Sequence, residues 1–175
     1  GISENIIITI EPACFTKNTL ISMADGSFKC INKIESGDII IDKSNKSIKV
    51  KNLQIGNYGE KTTFLNNGTK VVLIKKNALG NSPSQDTYIT RSHPVYLNNK
   101  FVWAESLINN DTVQWITIAD DIFYNIECEE GNTFIANGLI AGDTSVCNID
   151  YKMNHSIITK INEISSYFTL TPKIF

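Results

Sequence analysis

Cys14 follows Ala13 directly, and far downstream Thr90 and His93 stand three residues apart, His93 being one of two histidines in the chain. A cysteine sulfur reaches the carbonyl of the residue before it through a five-membered ring, so proximity replaces collision. Attack by Cys14 on Ala13 exchanges the Ala13–Cys14 amide for a thioester. That exchange is uphill unless the leaving amine is protonated and the peptide is twisted, so a group that moves protons is needed. His93 qualifies, because an imidazole of pKa about 6.5 both donates and accepts near neutrality, and positioned proton transfer is worth ~10²- to 10⁴-fold. The Thr90 hydroxyl can hold or twist the same amide if its segment wraps one corner, and small Ala13 leaves room for a tetrahedral intermediate. Taken singly, each residue has a plainer reading. A lone cysteine is more often a small buried apolar residue, Thr-x-x-His is a short pattern, and Asp38 and Asp111 read as turn residues capping their own loops.

The elements that must position these groups read as strands. Asn5 to Ile10 is a β-branched run closed by Glu11-Pro12, and the proline keeps the approach to the cysteine extended. Residues 19 to 23, Asp25-Gly26 and Phe28 predict a hairpin, followed by Ile31, Ile34 and a Gly37-Asp38 turn into Ile39-Ile40-Ile41. A gapless shift of 73 positions repeats this grammar, setting Phe28 on Phe101, Ile34 on Leu107, Gly37-Asp38 on Asn110-Asp111 and Ile40 on Val113. We read it as a two-fold internal duplication. Residues 43 to 60 read as polar and turn-rich. Lys70 to Ile74, Thr87 to Thr90, Phe123 to Cys128, Thr133 to Ala136 and Leu139 to Ala141 read as further strands, with Asn137-Gly138 turning between the last two. Ile157, Ile161, Ile164 and Phe168 share one face of a short C-terminal helix that Thr171-Pro172 stops.

At 175 residues one domain is expected, a size at which folding buries roughly 70% of the chain's surface. The net charge is −2 and Arg91 is the sole arginine, so no basic stripe for nucleic acid is present. No apolar run approaches the roughly 18 residues of a membrane span. Cys14, Cys30, Cys128 and Cys147 show no C-x-x-C or Cys/His spacing, so neither a metal site nor a cofactor is expected. Cys147 lies where it can approach Cys14, and a disulfide there would mask the nucleophile; an ordinary buried thiol is the plainer reading.

In order and approximate spacing, the chain resembles the Hint (Hedgehog/intein) domain over residues 14 to 144. The matching residues are Cys14-Phe15, Thr19-Leu20-Ile21, Asp25-Gly26, Gly37-Asp38, Thr90-x-x-His93, Tyr124-x-Ile126 and Phe134-x-Ala136-Asn137-Gly138-Leu139. The resemblance implies a horseshoe-like all-β fold with internal pseudo-two-fold symmetry, a nucleophilic Cys14, and a pocket formed by Thr90 and His93. Residues 1–13 are then an upstream flank, 14–144 the self-processing domain and 145–175 a C-terminal extension.

Inteins usually close on His-Asn followed by Cys, Ser or Thr. Here the place reads Gly142-Asp143-Thr144, so the histidine is missing and Asp143 is a poor substitute for a cyclising asparagine. Asn125 stands where the intein pattern often has aspartate. The closing region is more similar to Hedgehog-type and bacterial or viral Hint proteins, which cut only at their N-terminal junction. The expected activity is cleavage at Ala13–Cys14 by an N-to-S acyl shift, resolved by water, a thiol, an alcohol or an amine, in a monomer whose substrate is its own upstream polypeptide. Three alternatives stay open: an inactive Hint fold serving as a structural or partner-binding module, a mini-intein using Thr144, and a cysteine protease acting on other chains.

Overall fold

The computed structural model describes residues 13–57 and 68–147. The strand expected over 5–10 and the helix expected over 157–168 lie outside these residues.

The described chain is nearly all β. Strands β1 (Leu20–Ser22) and β2 (Phe28–Cys30) form the first hairpin and a 3-10 turn over Ile31–Lys33 follows. Next come β3 (Ile39–Ile41), β4 (Ser47–Asn57), β5 (Thr69–Ile74) and β6 (Thr87–Ile89). The second hairpin is β7 (Pro94–Leu97) with β8 (Lys100–Trp103), and a 3-10 turn over Ala104–Leu107 leads to β9 (Val113–Ile118) and β10 (Ile122–Cys128). Strands β11 (Thr133–Ala136) and β12 (Leu139–Gly142) close the fold. A six-stranded sheet runs β2-β1-β11-β12-β7-β8, and two three-stranded sheets run β10-β4-β3 and β6-β5-β9.

The 73-residue shift is visible in the elements: hairpin, 3-10 turn and two further strands recur in one order, from β1 to β4 and from β7 to β10. The tight turns carry the conformations their residues favour. Asn98 and Asn99 have φ of 51° and 63°, as a two-residue hairpin loop requires, and Asn137-Gly138 does the same between β11 and β12 with 50° and 78°. The copies differ in pairing. Strand β3 pairs with β4, which follows it, whereas β9 pairs with β5, which precedes it.

Two expectations change. Residues 47 to 57, expected as part of a polar, turn-rich stretch, form β4, with Ile48 and Val50 buried and Lys49 and Lys51 exposed. Its period-2 alternation is hidden in composition by the polar outer face, and pairing with β3 and β10 overrides the weak propensity. In the second copy Asn109, rather than Asp111, caps the loop, its Oδ1 accepting from the N–H groups of Asp111, Thr112 and Val113. Asp38 caps its loop as expected, accepting from Glu35 N and Lys29 Nζ.

The main core gathers Phe15, Ile21, Ile89, Ile126 and Phe134 from both copies. A smaller cluster holds Cys14, Val71 and Phe123, flanked by Tyr88, Ile116 and Ile118. The segment carrying Cys14 and Phe15 is thus buried, and not presented on a rim.

Candidate active site

Phe15 is the anchor of the site. Its backbone exchanges hydrogen bonds with Tyr124 on β10, at 2.7 and 2.8 Å, and it bridges Ile89 at the end of β6. Its ring is fully buried, 4.6 Å from the His93 ring and 6.0 Å from that of Phe134. A large apolar residue after the cysteine therefore fixes both the chain direction and one face of the imidazole.

Thr90 holds the residue before it. The Cys14 N–H donates to Thr90 Oγ1 at 2.8 Å, and the Thr90 N–H donates to the Cys14 carbonyl at 3.0 Å. The nitrogen of the Ala13–Cys14 bond is thereby fixed by a side chain 76 residues away. The spacing of Thr90 and His93 has a local cause: His93 N–H donates to Thr90 O at 3.1 Å, closing a β-turn through Arg91 and Ser92. Arg91 pins this turn to the 3-10 turn after β8 through Glu105, by a side-chain contact of 3.4 Å and a backbone bond of 2.9 Å.

His93 is completely buried, and its Nε2 lies 3.0 Å from the Gly142 carbonyl. A carbonyl only accepts, so Nε2 carries the proton and Nδ1 is a bare lone pair. Nδ1 is buried without a hydrogen-bond partner among the described residues. Burial holds the imidazole pKa down at about 3, partly opposed by the bond to Gly142. Burial, with the nearby Cys147 second, pushes the Cys14 thiol far above its ordinary range. At neutral pH Cys14 is therefore a thiol and His93 a neutral imidazole.

Ala13, Cys14, Thr90, His93 and Asp143 are all buried. The structure brings Cys14, Thr90 and His93 together around Phe15, and Asp143 follows the carbonyl that holds His93. The Asp143 side chain, however, is spoken for: Oδ2 accepts from Cys128 N–H at 3.2 Å, and Oδ1 accepts from Ser145 N–H at 3.0 Å, Val146 N–H at 3.4 Å and the Ser145 hydroxyl. It caps the helical turn over residues 144–147, accepting from the N–H groups of Ser145 and Val146 as an N-cap aspartate does.

Sequence reasoning missed the Gly142 carbonyl, since a backbone group carries no residue-type signal. Asn125, which stands where the intein pattern often has aspartate, turns to its neighbours: Oδ1 accepts from Ile126 N–H at 2.8 Å, and Nδ2 donates to Cys147 Sγ at 3.6 Å. All four cysteines are thiols. Among the described residues no group of three or more His, Cys, Asp or Glu is arranged to hold a metal, and no helix is long and apolar enough to cross a membrane.

Comparison with known proteins gives the following. The family described as Hint domain matches residues 13–143. The solution structure of a bacterial intein-like domain from Clostridium thermocellum is 16% identical with a TM-score of 0.58, covering 76% of this chain and 100% of that one. A DnaB intein from Synechocystis sp. PCC 6803 is 15% identical with a TM-score of 0.52, covering 76% and 99%. The gp41-1 intein is 12% identical with a TM-score of 0.54, covering 76% and 100%. No curated protein sequence matches the chain.

Proposed function

Because the chain belongs to the Hint domain family, we propose that it cuts its own backbone at Ala13–Cys14, and only there, in the manner of the Hedgehog-type branch. His93 Nδ1 takes the thiol proton as Cys14 Sγ bonds the Ala13 carbonyl carbon. The tetrahedral intermediate then loses the Cys14 nitrogen, which receives that proton and leaves as an amine. The upstream flank, residues 1–13, is held as a thioester on the domain formed by 14–144, with 145–175 as an extension. Water, a thiol, an alcohol or an amine resolves it.

The observations that carry this reading are the Cys14 N–H bond to Thr90 Oγ1 and the buried His93 Nδ1, which has no hydrogen-bond partner among the described residues. A buried polar atom without a partner is rare in a folded protein and demands a reason, and a proton acceptor for the nucleophile is such a reason. Restriction to the N-terminal junction is supported by the other end. Gly142 has no side chain to protonate a leaving group, and Asp143 lacks the amide nitrogen that cyclises. Its carboxylate is also held by four donors, which argues against a mini-intein acting through Thr144.

Incubating the purified chain with dithiothreitol and weighing the products tests the proposal. A fragment ending at Ala13 is expected, absent from a Cys14→Ala control. A chain that stays as intact as the control overturns it in favour of a structural or partner-binding Hint fold, and a fragment ending at Asp143 overturns the restriction to one junction.

A further inference from the structure

The hydrogen bonds around Phe15 fix which way each backbone group of the junction turns. Phe15 N–H and C=O exchange bonds with Tyr124 of β10 at 2.7 and 2.8 Å. Its neighbours turn the other way, toward β6 and Thr90: Thr16 N–H donates to Tyr88 O at 3.4 Å, Thr90 N–H donates to Cys14 O at 3.0 Å, and Cys14 N–H donates to Thr90 Oγ1 at 2.8 Å. Backbone groups of an extended chain alternate sides, so the Ala13 carbonyl turns back to the side of β10. With Phe15 and Tyr124 as one bonded pair of an antiparallel bridge, Ala13 and Ile126 are the next such pair in register. Ile126 therefore stands opposite the scissile carbonyl.

Strand β10 is an outer strand of its sheet, with β4 on its other side. The Ile126 N–H shares the outer edge with that of Tyr124, two residues before it, and there it donates to Asn125 Oδ1 at 2.8 Å. Both residues are buried. Asp143 Oδ2 serves the N–H of Cys128 in the same way, at 3.2 Å. Side chains thus close the edge beyond Tyr124, where a bare edge pairs with any strand alongside.

We infer that the Ile126 N–H is the donor that stabilises the oxyanion formed on Ala13, and that Asn125 Oδ1 covers this donor until charge develops. The inference rests on the N-to-S shift proposed above. In the resting chain the Asn125 amide oxygen and the Ala13 carbonyl oxygen are comparable neutral acceptors, and the adjacent side chain holds the N–H. As Cys14 Sγ bonds the Ala13 carbon, the Ala13 oxygen becomes an anion, and a charge-assisted bond is roughly twice as strong as a neutral one. The N–H then turns from Asn125 to Ala13, its proton staying on the Ile126 nitrogen throughout. A donor withheld from the ground state and given to the transition state lowers the barrier. Thr90 holds the leaving nitrogen of the bond and Ile126 the oxygen.

Single-turnover cleavage at saturating hydroxylamine, scaled to the folded fraction from urea unfolding, tests the assignment with changes of opposite sign. Ile126→Pro removes the donor on the edge that faces away from β4, and is expected to cleave about 10²- to 10³-fold more slowly than Ile126→Ala, which keeps the N–H. Asn125→Ala uncovers the donor and is expected to cleave roughly three- to tenfold faster than wild type, whereas truncating a residue that only supports the fold slows cleavage. Asn125→Ala at or below the wild-type rate, or a folded Ile126→Pro that keeps pace with Ile126→Ala, overturns the inference and leaves the thioester at Cys14 standing. If Ile126→Pro does not fold, the sign of the Asn125→Ala change decides alone. A wild-type chain that hydroxylamine does not cleave at Ala13 overturns the parent reading, and this inference with it.

Discussion

The two copies of the duplicated unit put different chemistry at matching places. Under the 73-residue shift Cys14 corresponds to Thr87 and His93 to Leu20. Thr87 and Leu20 meet through Asn137: its Oδ1 accepts from Leu20 N–H at 2.8 Å and Gln85 Nε2 at 3.1 Å, and its Nδ2 donates to Thr87 Oγ1 at 2.9 Å. The backbone of Asn137 is paired as well, with Leu20 and Ser84. At the matching place in the other half, the His93 side chain is paired through Nε2, and Nδ1 has no partner among the described residues. A buried amide with its donors and acceptors engaged is architecture. A buried base whose second nitrogen has no partner among the described residues is where we propose the chemistry lies.

This contrast can be broken from either side. The largest effect belongs to Cys14→Ala, which removes the only attacking atom at the junction; cleavage at Ala13 should vanish from mass spectra while the fold is retained. His93→Gln should slow cleavage ~10²- to 10⁴-fold, measured as the single-turnover rate in dithiothreitol, because a glutamine cannot accept the thiol proton. Asn137→Ala should act in the opposite sense. It strands the Leu20 N–H in the interior and takes a donor from the Thr87 hydroxyl, which keeps its own bond to Gln85 O, and should cost about 1–3 kcal/mol in urea unfolding, with the cleavage rate per folded molecule unchanged.

The histidine also sets a dependence on pH. Its folded pKa of about 3 lies below the unfolded value near 6.5, so as pH falls the unfolded chain takes up the proton first. Stability from this group is complete above about 6.5 and drains as pH falls toward 3. Between pH 7 and pH 5 the wild type should lose about 2 kcal/mol more than His93→Gln, compared by urea unfolding at both values. The smallest effect expected is that of Thr90→Val, roughly tenfold in cleavage rate, with about 1–3 kcal/mol of stability lost because the Cys14 N–H loses its acceptor.

The parts of the molecule legible in sequence were those encoded locally. Asn98-Asn99 and Asn137-Gly138 declare their turns because few residues tolerate positive φ, and the shift from Phe28 to Phe101 exposes the duplication. The separation of Thr90 and His93 has a local cause, the four-residue turn that joins them. Strand β4 was hidden because half of its residues are polar and only its partners reveal which half faces inward. The pairing of β9 back to β5 is non-local, so no short pattern announces it. Gly142 was readable as a missing histidine and Asp143 as a missing asparagine. That one admits a fold-back and the other caps it follows only from seeing Val146 and Cys147 packed against the site.

The most direct test of the central claim is the chemical identity of the new end at Ala13. Treatment of the chain with hydroxylamine at neutral pH, followed by mass spectrometry of the released upstream fragment, should give a C-terminal hydroxamate on Ala13, which forms from an acyl thioester and not from ordinary peptide hydrolysis. The same treatment of Cys14→Ala should give no fragment. A wild-type fragment ending in a plain carboxylate under these conditions, or equal cleavage in the variant, would contradict a thioester at Cys14.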